Sequence, residues 1–262
     1  MHEGIFIAAS AGIKQSKKME VIAQNLANVN STGYKGDRLA FKELMTPFPP
    51  DKGPEPKDLL LQTNKSNSNV SYAAVTDQYT DHEPGIMKQT NSELDMALDG
   101  PGYFSVSTKE GIRYTRNGNF RLNTEKQIVN QKGQPVLSEQ GEPIVITAEG
   151  TEISIDSYGN IFVGSGERSA NIGKIRFVDF DNKQTLDKLG DGLFFQSDTE
   201  ADEKPVNDTK LRQGFLEGSN VTATDEMTNM LSTLRLFETY QKMIQSIDNM
   251  DDQSVNSIGR IG

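Results

Sequence analysis

Apolar and small residues recur at alternating steps of four and three over residues 4 to 28: Ile5, Ala9, Gly12, Ser16, Met19, Ala23 and Leu26. That step pattern predicts an α-helix with a heptad-like seam. The seam is built mostly of small side chains, so a partner helix could approach closely. Gly12 costs about 1 kcal/mol relative to alanine, which leaves this helix marginal by itself. The other end of the chain answers it. Residues 225 to 258 hold the longest helical pattern, with Thr222 or Thr224 as cap and Asp225 and Glu226 at the positive end of its dipole. One stripe runs Met230, Leu234, Phe237, Ile244, interrupted by Gln241; a second runs Leu236, Tyr240, Met243, Ile247, Met250. A single small-residue partner covers one stripe. The other needs a further neighbour, and Leu236 and Ile247 are assigned to that intersubunit contact.

Between the helices the pattern changes twice. Residues 46–56, "TPFPPDKGPEP", are rich in proline and predict an extended arm. Residues 57–82 are polar, with a strand expected near Val70 to Val75, and read as a long loop or mobile hairpin. From Gly85 to Gln213, turn signals recur every seven to ten residues between short strand-like runs such as "YFSVS", "PIVIT" and "KIRFVDF". Asn117-Gly118 reads as a two-residue hairpin turn. The spacing suggests a sandwich or barrel-like all-β domain. The expected fold is α+β: terminal helices paired as a coiled-coil-like stalk (1–35 and 220–262), a linker or extended arm (36–84), and an inserted all-β domain (85–219).

Composition narrows the function. The 262 residues carry a formal charge of −10 and no cysteine. The charge argues against nucleic acid and anionic membrane surfaces as partners. The lack of cysteine excludes disulfides, thiolate metal sites and a cysteine nucleophile. No apolar run approaches the roughly 18 residues of a spanning helix, so no direct membrane insertion is expected. The N-terminus, Met1-His2-Glu3-Gly4-Ile5, does not read as a cleavable secretory signal.

Candidate chemistry is sparse. His82, beside Asp81 and Glu83, reads as a solvated turn before a proline rather than a metal site. Asp99 in Asp99-Gly100-Pro101-Gly102 is expected to bond local amides, and Arg116 in "YTRNGNF" to point outward from a hairpin. No catalytic, metal or cofactor site is expected. "GSG" at 164–166 reads as a hairpin turn. In "AQNLANVNSTGYKGDR", residues 23–38, Asn25, Asn28, Asn30 and Gly33 read as a helix stop, followed by Tyr34 with a ring to bury and a hydroxyl to satisfy.

Those residues, taken with others, resemble the bacterial flagellar basal-body rod proteins. "NLANVNSTGYK" (25–35) resembles the N-terminal signature of axial proteins. "SELDMALDGPGYFSV" (92–106) and "YTRNGNF" (114–120) resemble the central block of the rod and hook subset. "GFLEGSNV" (214–221) and "LRLFETYQKMIQSIDNMD" (234–251) resemble the C-terminal lead-in and helix. The last of these and the closing "SIGRIG" look most like the proximal type of rod protein, with the distal type close. The resemblance implies a structural subunit exported through the flagellar type III apparatus. Its partners would be copies of itself and other rod subunits, with the helices as an inner tube and the β domain outside. The competing reading is a glycan-binding or adhesin β module that uses Tyr103, Tyr114 or Tyr158 as sugar platforms.

Overall fold

The computed structural model describes residues 2–45, 71–146, 152–164, 169–197, 203–206 and 208–258. Two long helices, α1 (His2–Ala27) and α2 (Ala223–Ile258), flank a β-rich region, which makes the fold α+β. The chain divides into two compact units: residues 1–24, 38–79 and 227–262 form one, and residues 25–37 and 80–226 form the other.

The first unit holds the bodies of both helices. α1 and α2 lie side by side and run in opposite directions. A Cβ placed on Gly4 would sit 3.4 Å from Ile247 Cδ1, and one on Gly12 would sit 4.0 Å from Phe237 Cε2. Glycine at these positions gives the large side chains of α2 room to approach. The strands Asp37–Met45 and Ser71–Thr80 pair as a two-stranded sheet. The ends of the expected linker are therefore regular structure, and the second strand is longer than the one expected near Val75. The proline-rich arm at 46–56 lies outside the described residues.

The second unit is built of strands. Its largest sheet has six, in the order Leu186–Gly190, Leu193–Gln196, Gly111–Thr115, Tyr103–Thr108, Phe177–Phe180 and Glu203–Pro205. Ala170–Lys174, Asn160–Val163 and Ile153–Ile155 form a three-stranded sheet. Short pairs bring Lys210–Gln213 against Met96–Asp99 and Phe215–Glu217 against Met87–Gln89. Phe104, Val106, Ile128, Val136, Ile161 and Ile175 are at the centre of one buried cluster. Tyr103, Tyr114, Phe180 and Phe194 anchor a second.

A repeated turn organises residues 123–160. At Asn123, Asn130, Ser138 and Asp156 the backbone N–H bonds the carbonyl four residues on, and the carbonyl accepts from the N–H three residues on. The side chain of each also accepts an N–H four residues on. The fourth residue of each turn has positive φ: Lys126 (61°), Gly133 (80°), Gly141 (83°) and Gly159 (87°). Following each of the first three turns in order, Ile128, Val136 and Ile144 form a closed ring. Ile128 donates to Ile144, Ile144 to Val136, and Val136 to Ile128. All three are buried, so the small ring satisfies its backbone and packs its side chains in one step.

Asn117-Gly118 does not make a two-residue hairpin. Gly118 is pressed against the Met96 backbone, whose N–H donates to Gly118 O at 3.0 Å; a Cβ there would lie 2.7 Å from Met96 C. Close approach, not turn type, requires this glycine.

Candidate assembly interface

On α2 the inward positions run Met230, Thr233, Phe237, Tyr240, Ile244 and Ile247, all buried or half-buried, at steps of three and four. The two stripes read from the sequence are thereby regrouped. Tyr240 and Ile247 belong to the stripe beside α1, because they lie within a quarter turn of Phe237 and Ile244 on a 3.6-residue helix. Leu234, Leu236, Met243 and Met250 are exposed. Leu236 (46 % exposed), Met243 and Met250 recur every seven residues and make one outward ridge. On α1 the buried positions are Ala8, Gly12, Gln15, Val21, Ile22 and Asn25. Ile5, Ala9, Met19 and Leu26 are half-buried, whereas Ser16 and Ala23 are exposed. The covered face is thus turned by one residue from the seam read by spacing. Phe6 and Ile13 (70 % exposed) form a second outward ridge.

The Asn-rich stop and its continuation lie in the β-rich unit. Asn25 and Tyr34 are buried, Asn28 is half-buried and Asn30 is exposed. The Asn25 amide imitates a strand: its Nδ2 donates to Asp37 O and its Oδ1 accepts from Asp37 N, each at 2.9 Å. Tyr34 OH donates to the same Oδ1 at 3.2 Å, and burial pushes its pKa up to about 12. Gly33, with φ 66°, lies against the 116–117 backbone; a Cβ there would fall 2.5 Å from Asn117 N.

Next to this stop is a fully buried ion cluster. Lys35 is 0 % exposed. Its Nζ donates to Glu217 Oε1 at 2.6 Å and to Glu83 O at 2.7 Å. Glu217 Oε1 also accepts Gly85 N–H at 2.8 Å, and Arg116 Nη1 reaches Oε2 at 3.4 Å. Arg116 further donates to Gly100 O at 2.6 Å and Leu98 O at 3.3 Å. Burial pulls the Lys35 ammonium below its ordinary pKa, while the Glu217 carboxylate opposes the shift. Beside it, Lys188 bonds the Asp37 carboxylate at 2.6 Å and lies over the Tyr34 ring at 4.5 Å. Asn220 accepts Gly36 N–H at 2.7 Å and donates to Asp81 O at 2.9 Å.

Several expectations are corrected here. Arg116 points inward to this cluster, because its partner Glu217 stands 101 positions away in sequence. Asp99 pairs with Arg212 rather than with local amides. His82 is not a solvated turn: its Nδ1 shares a hydrogen bond of 2.6 Å with Tyr103 OH, and its ring packs on Phe194. Burial pushes its pKa down to about 4, and the Lys183 and Lys35 charges add to the effect. Tyr103 and Tyr114 are buried, which removes them as sugar platforms; Tyr158 remains exposed. Among the described residues no cluster of histidine and carboxylate ligands could hold a metal, and no helix is long and apolar enough to cross a membrane.

Comparison with known proteins bears on these same segments. The family described as flagella basal body rod protein matches residues 5–35. The flagellar hook protein FlgE/F/G D1 domain matches 97–163, and the flagellar basal body rod FlgEFG protein C-terminal family matches 212–258. The flagellar basal-body rod protein FlgG of Bacillus subtilis (strain 168) is 33 % identical over 91 % of this chain and 92 % of its own. The chain belongs to the flagellar basal-body rod protein family. Relatives of both types match this rod protein: FlgF of Caulobacter vibrioides is 29 % identical over the full length of both chains, and FlgG of Agrobacterium fabrum is 31 % identical over 93 % of this one. The protein is a structural subunit of the FlgF/FlgG type, and the adhesin reading has no support. Lys35, Arg116 and Glu217 come one from each of the matched segments, so the rod protein's ion cluster joins all three.

Proposed function

We propose that this rod subunit polymerises through its terminal helices into a hollow tube that carries torque through the flagellar basal body. It would contact copies of itself and neighbouring rod subunits, and leave the cell through the flagellar type III apparatus. The observation that carries this reading is the Leu236–Met243–Met250 ridge. It is exposed, although the adjacent face of α2 is already occupied by α1. Apolar rows of this kind gain stability only when another molecule covers them. Repetition of such a contact head to tail does not close on itself and generates a helical tube. The α1–α2 pair then acts as a coiled-coil-like strut, with small residues of α1 against large residues of α2. The uncovered rows also leave the free subunit's helices weakly held, so they order fully only on incorporation.

The test replaces Leu236 and Met243 by Asp in a flagellated strain. Motility should be lost and basal bodies should stop short of a complete rod, while the purified variant keeps the wild-type urea midpoint of its β-rich unit. Motile cells, or a variant that unfolds, would defeat the proposal. We place the subunit in the proximal section on the strength of residues 234–262; imaging where assembly halts in a deletion strain decides between the inner and outer sections. Hydrogen exchange on a verified monomer addresses the helices, and strong protection across 5–28 and 227–250 would refute their ordering on assembly.

A further inference from the structure

The covered faces of α1 and α2 share a weakness. Both repeat every seven residues, and both are filled mostly by residues that pack without direction: Gly4, Ala8, Gly12 and Met19 on one side, Met230, Phe237, Ile244 and Ile247 on the other. A slide of one helix past the other by seven residues, about 10 Å at 1.5 Å per residue, would present a similar apolar seam. Dispersion and burial alone distinguish such registers poorly.

Two residues break the pattern. Gln15 is 8 % exposed and Thr233 is 1 % exposed, and they are the polar members of these stripes between Gly12 and Met19 and between Met230 and Phe237. Among the described residues, Gln15 Oε1 and Thr233 Oγ1 are buried without a hydrogen-bond partner. The helices run oppositely, with Gly4 beside Ile247 and Gly12 beside Phe237. Moving three residues on from Gly12 reaches Gln15, and moving four back from Phe237 reaches Thr233. The two advances, about 4.5 and 6 Å, bring both residues to the same level.

We infer that Gln15 and Thr233 form a polar layer that sets the register of α1 against α2. In the native alignment the two polar side chains stand at the same level of the helix pair, so a side-chain adjustment can join hydroxyl to amide. In an alignment slipped by seven residues Gln15 faces Tyr240 or Glu226 instead, and Thr233 is left against Ile22 or Ala8. Tyr240 and Glu226 still offer Gln15 a polar partner, so what penalises those alignments is the Thr233 hydroxyl, buried against an apolar side chain that cannot accept its hydrogen. The register matters because it fixes Phe6 and Ile13 of one outward ridge relative to Leu236, Met243 and Met250 of the other. This inference rests on the helix pairing proposed above, but it concerns the isolated subunit and is measured without assembly.

The cysteine-free chain makes the test direct. One cysteine pair, Gly4→Cys with Ile247→Cys, reports the native register; another, Ala11→Cys with Ile247→Cys, reports a slip of seven residues. Disulfide yield under mild oxidation is measured in the full chain at dilution that excludes dimers. With Gln15 and Thr233 present, only the native pair should oxidise efficiently. With Gln15→Leu and Thr233→Val, the slipped pair should rise at least ten-fold and the native pair fall. Gln15→Asn with Thr233→Ser should keep the native preference. A slipped pair that stays at background in the apolar variant overturns the inference, as does equal oxidation of both pairs in the original sequence. If circular dichroism shows lost helix in the double variant, Thr233→Val alone decides, since it exchanges a hydroxyl for a methyl of the same shape.

Discussion

Replacing Glu217 by alanine should be the most damaging single substitution in the ion cluster. Glu217 is buried and accepts from Lys35 Nζ, Gly85 N and Arg116 Nη1. With the carboxylate present, two buried cations face one anion. Without it, Lys35 keeps the Glu83 carbonyl, and Arg116 keeps the Leu98 and Gly100 carbonyls and the Tyr103 ring, with no carboxylate hydrogen-bonded to either cation among the described residues. Removing one member of a buried pair typically costs about 3–5 kcal/mol, a large share of the roughly 5–15 kcal/mol that holds a domain together. Glu217→Gln keeps an acceptor but loses the charge and turns an amide donor toward one cation, for about 2 kcal/mol. Lys35→Met removes the excess cation, fills the space with an unbranched apolar chain, and leaves Glu217 paired to Arg116 and Gly85. Its cost should be nearer 1 kcal/mol, since an apolar replacement avoids the desolvation of a buried ammonium. The predicted order is Glu217→Ala, then Glu217→Gln, then Lys35→Met. The chain has no tryptophan, so urea titration followed by tyrosine fluorescence and far-ultraviolet circular dichroism is the assay. A cost below about 1 kcal/mol for Glu217→Ala, or equal costs for Glu217→Ala and Lys35→Met, would refute the reasoning.

His82 has a folded pKa of about 4 against an ordinary 6.5, so the unfolded chain binds the proton first; stability is complete above pH 6.5 and falls by about 3 kcal/mol as pH drops to 4. Urea titrations of wild type and His82→Gln across that window should diverge, and parallel curves would remove His82 from the account. Asn25→Ala removes its two bonds to the Asp37 backbone and the acceptor of Tyr34 OH, for about 2–3 kcal/mol read by thermal unfolding. Gly133→Ala meets open space and should cost about 1 kcal/mol from its positive φ alone. Gly159→Ala should cost about 1–3 kcal/mol more, because its Cβ would stand 2.9 Å from Phe177 Cε1.

The helices were legible because three-four periodicity survives any neighbour, and Thr222 caps α2 with its carbonyl accepting from Glu226 N–H at 3.1 Å. The phase of α1 was less legible. Small residues stand on adjacent lines of this helix, so spacing fits Ile5, Ala9, Ser16 and Ala23 as well as the covered Ala8, Gly12 and Ile22. Gln15 was passed over because it is polar, although it is buried. The Asn-rich stop could be read as a terminator, but not as a strand mimic, because the partner of Asn25 is a backbone twelve positions on. The Lys35–Glu217 pair spans 182 positions, and nothing local marks either residue as buried. The repeated turn was hidden for another reason. Lys126 occupies the positive-φ position that glycine holds at 133, 141 and 159, so the first copy does not look like the others.

The placement of the cluster also explains why the matched segments behave as one protein. Residues 5–35, 97–163 and 212–258 are far apart in the chain, yet each contributes one charged side chain to a single dry site. Lone, any of these charges would be costly to bury; together, the carboxylate satisfies two cations and a backbone amide at once. The arrangement is therefore cooperative: the segment carrying Lys35, the turn carrying Arg116 and the strand carrying Glu217 are each favourable only when the other two are in place. Gly33 tightens the same condition, since its N–H bonds Glu217 O at 2.7 Å while its missing Cβ lets the 116–117 backbone lie against it. A subunit that must present its surfaces identically in every copy gains from this. Partial folding leaves an unpaired buried charge, so intermediate arrangements of the three segments are disfavoured and a single geometry is populated.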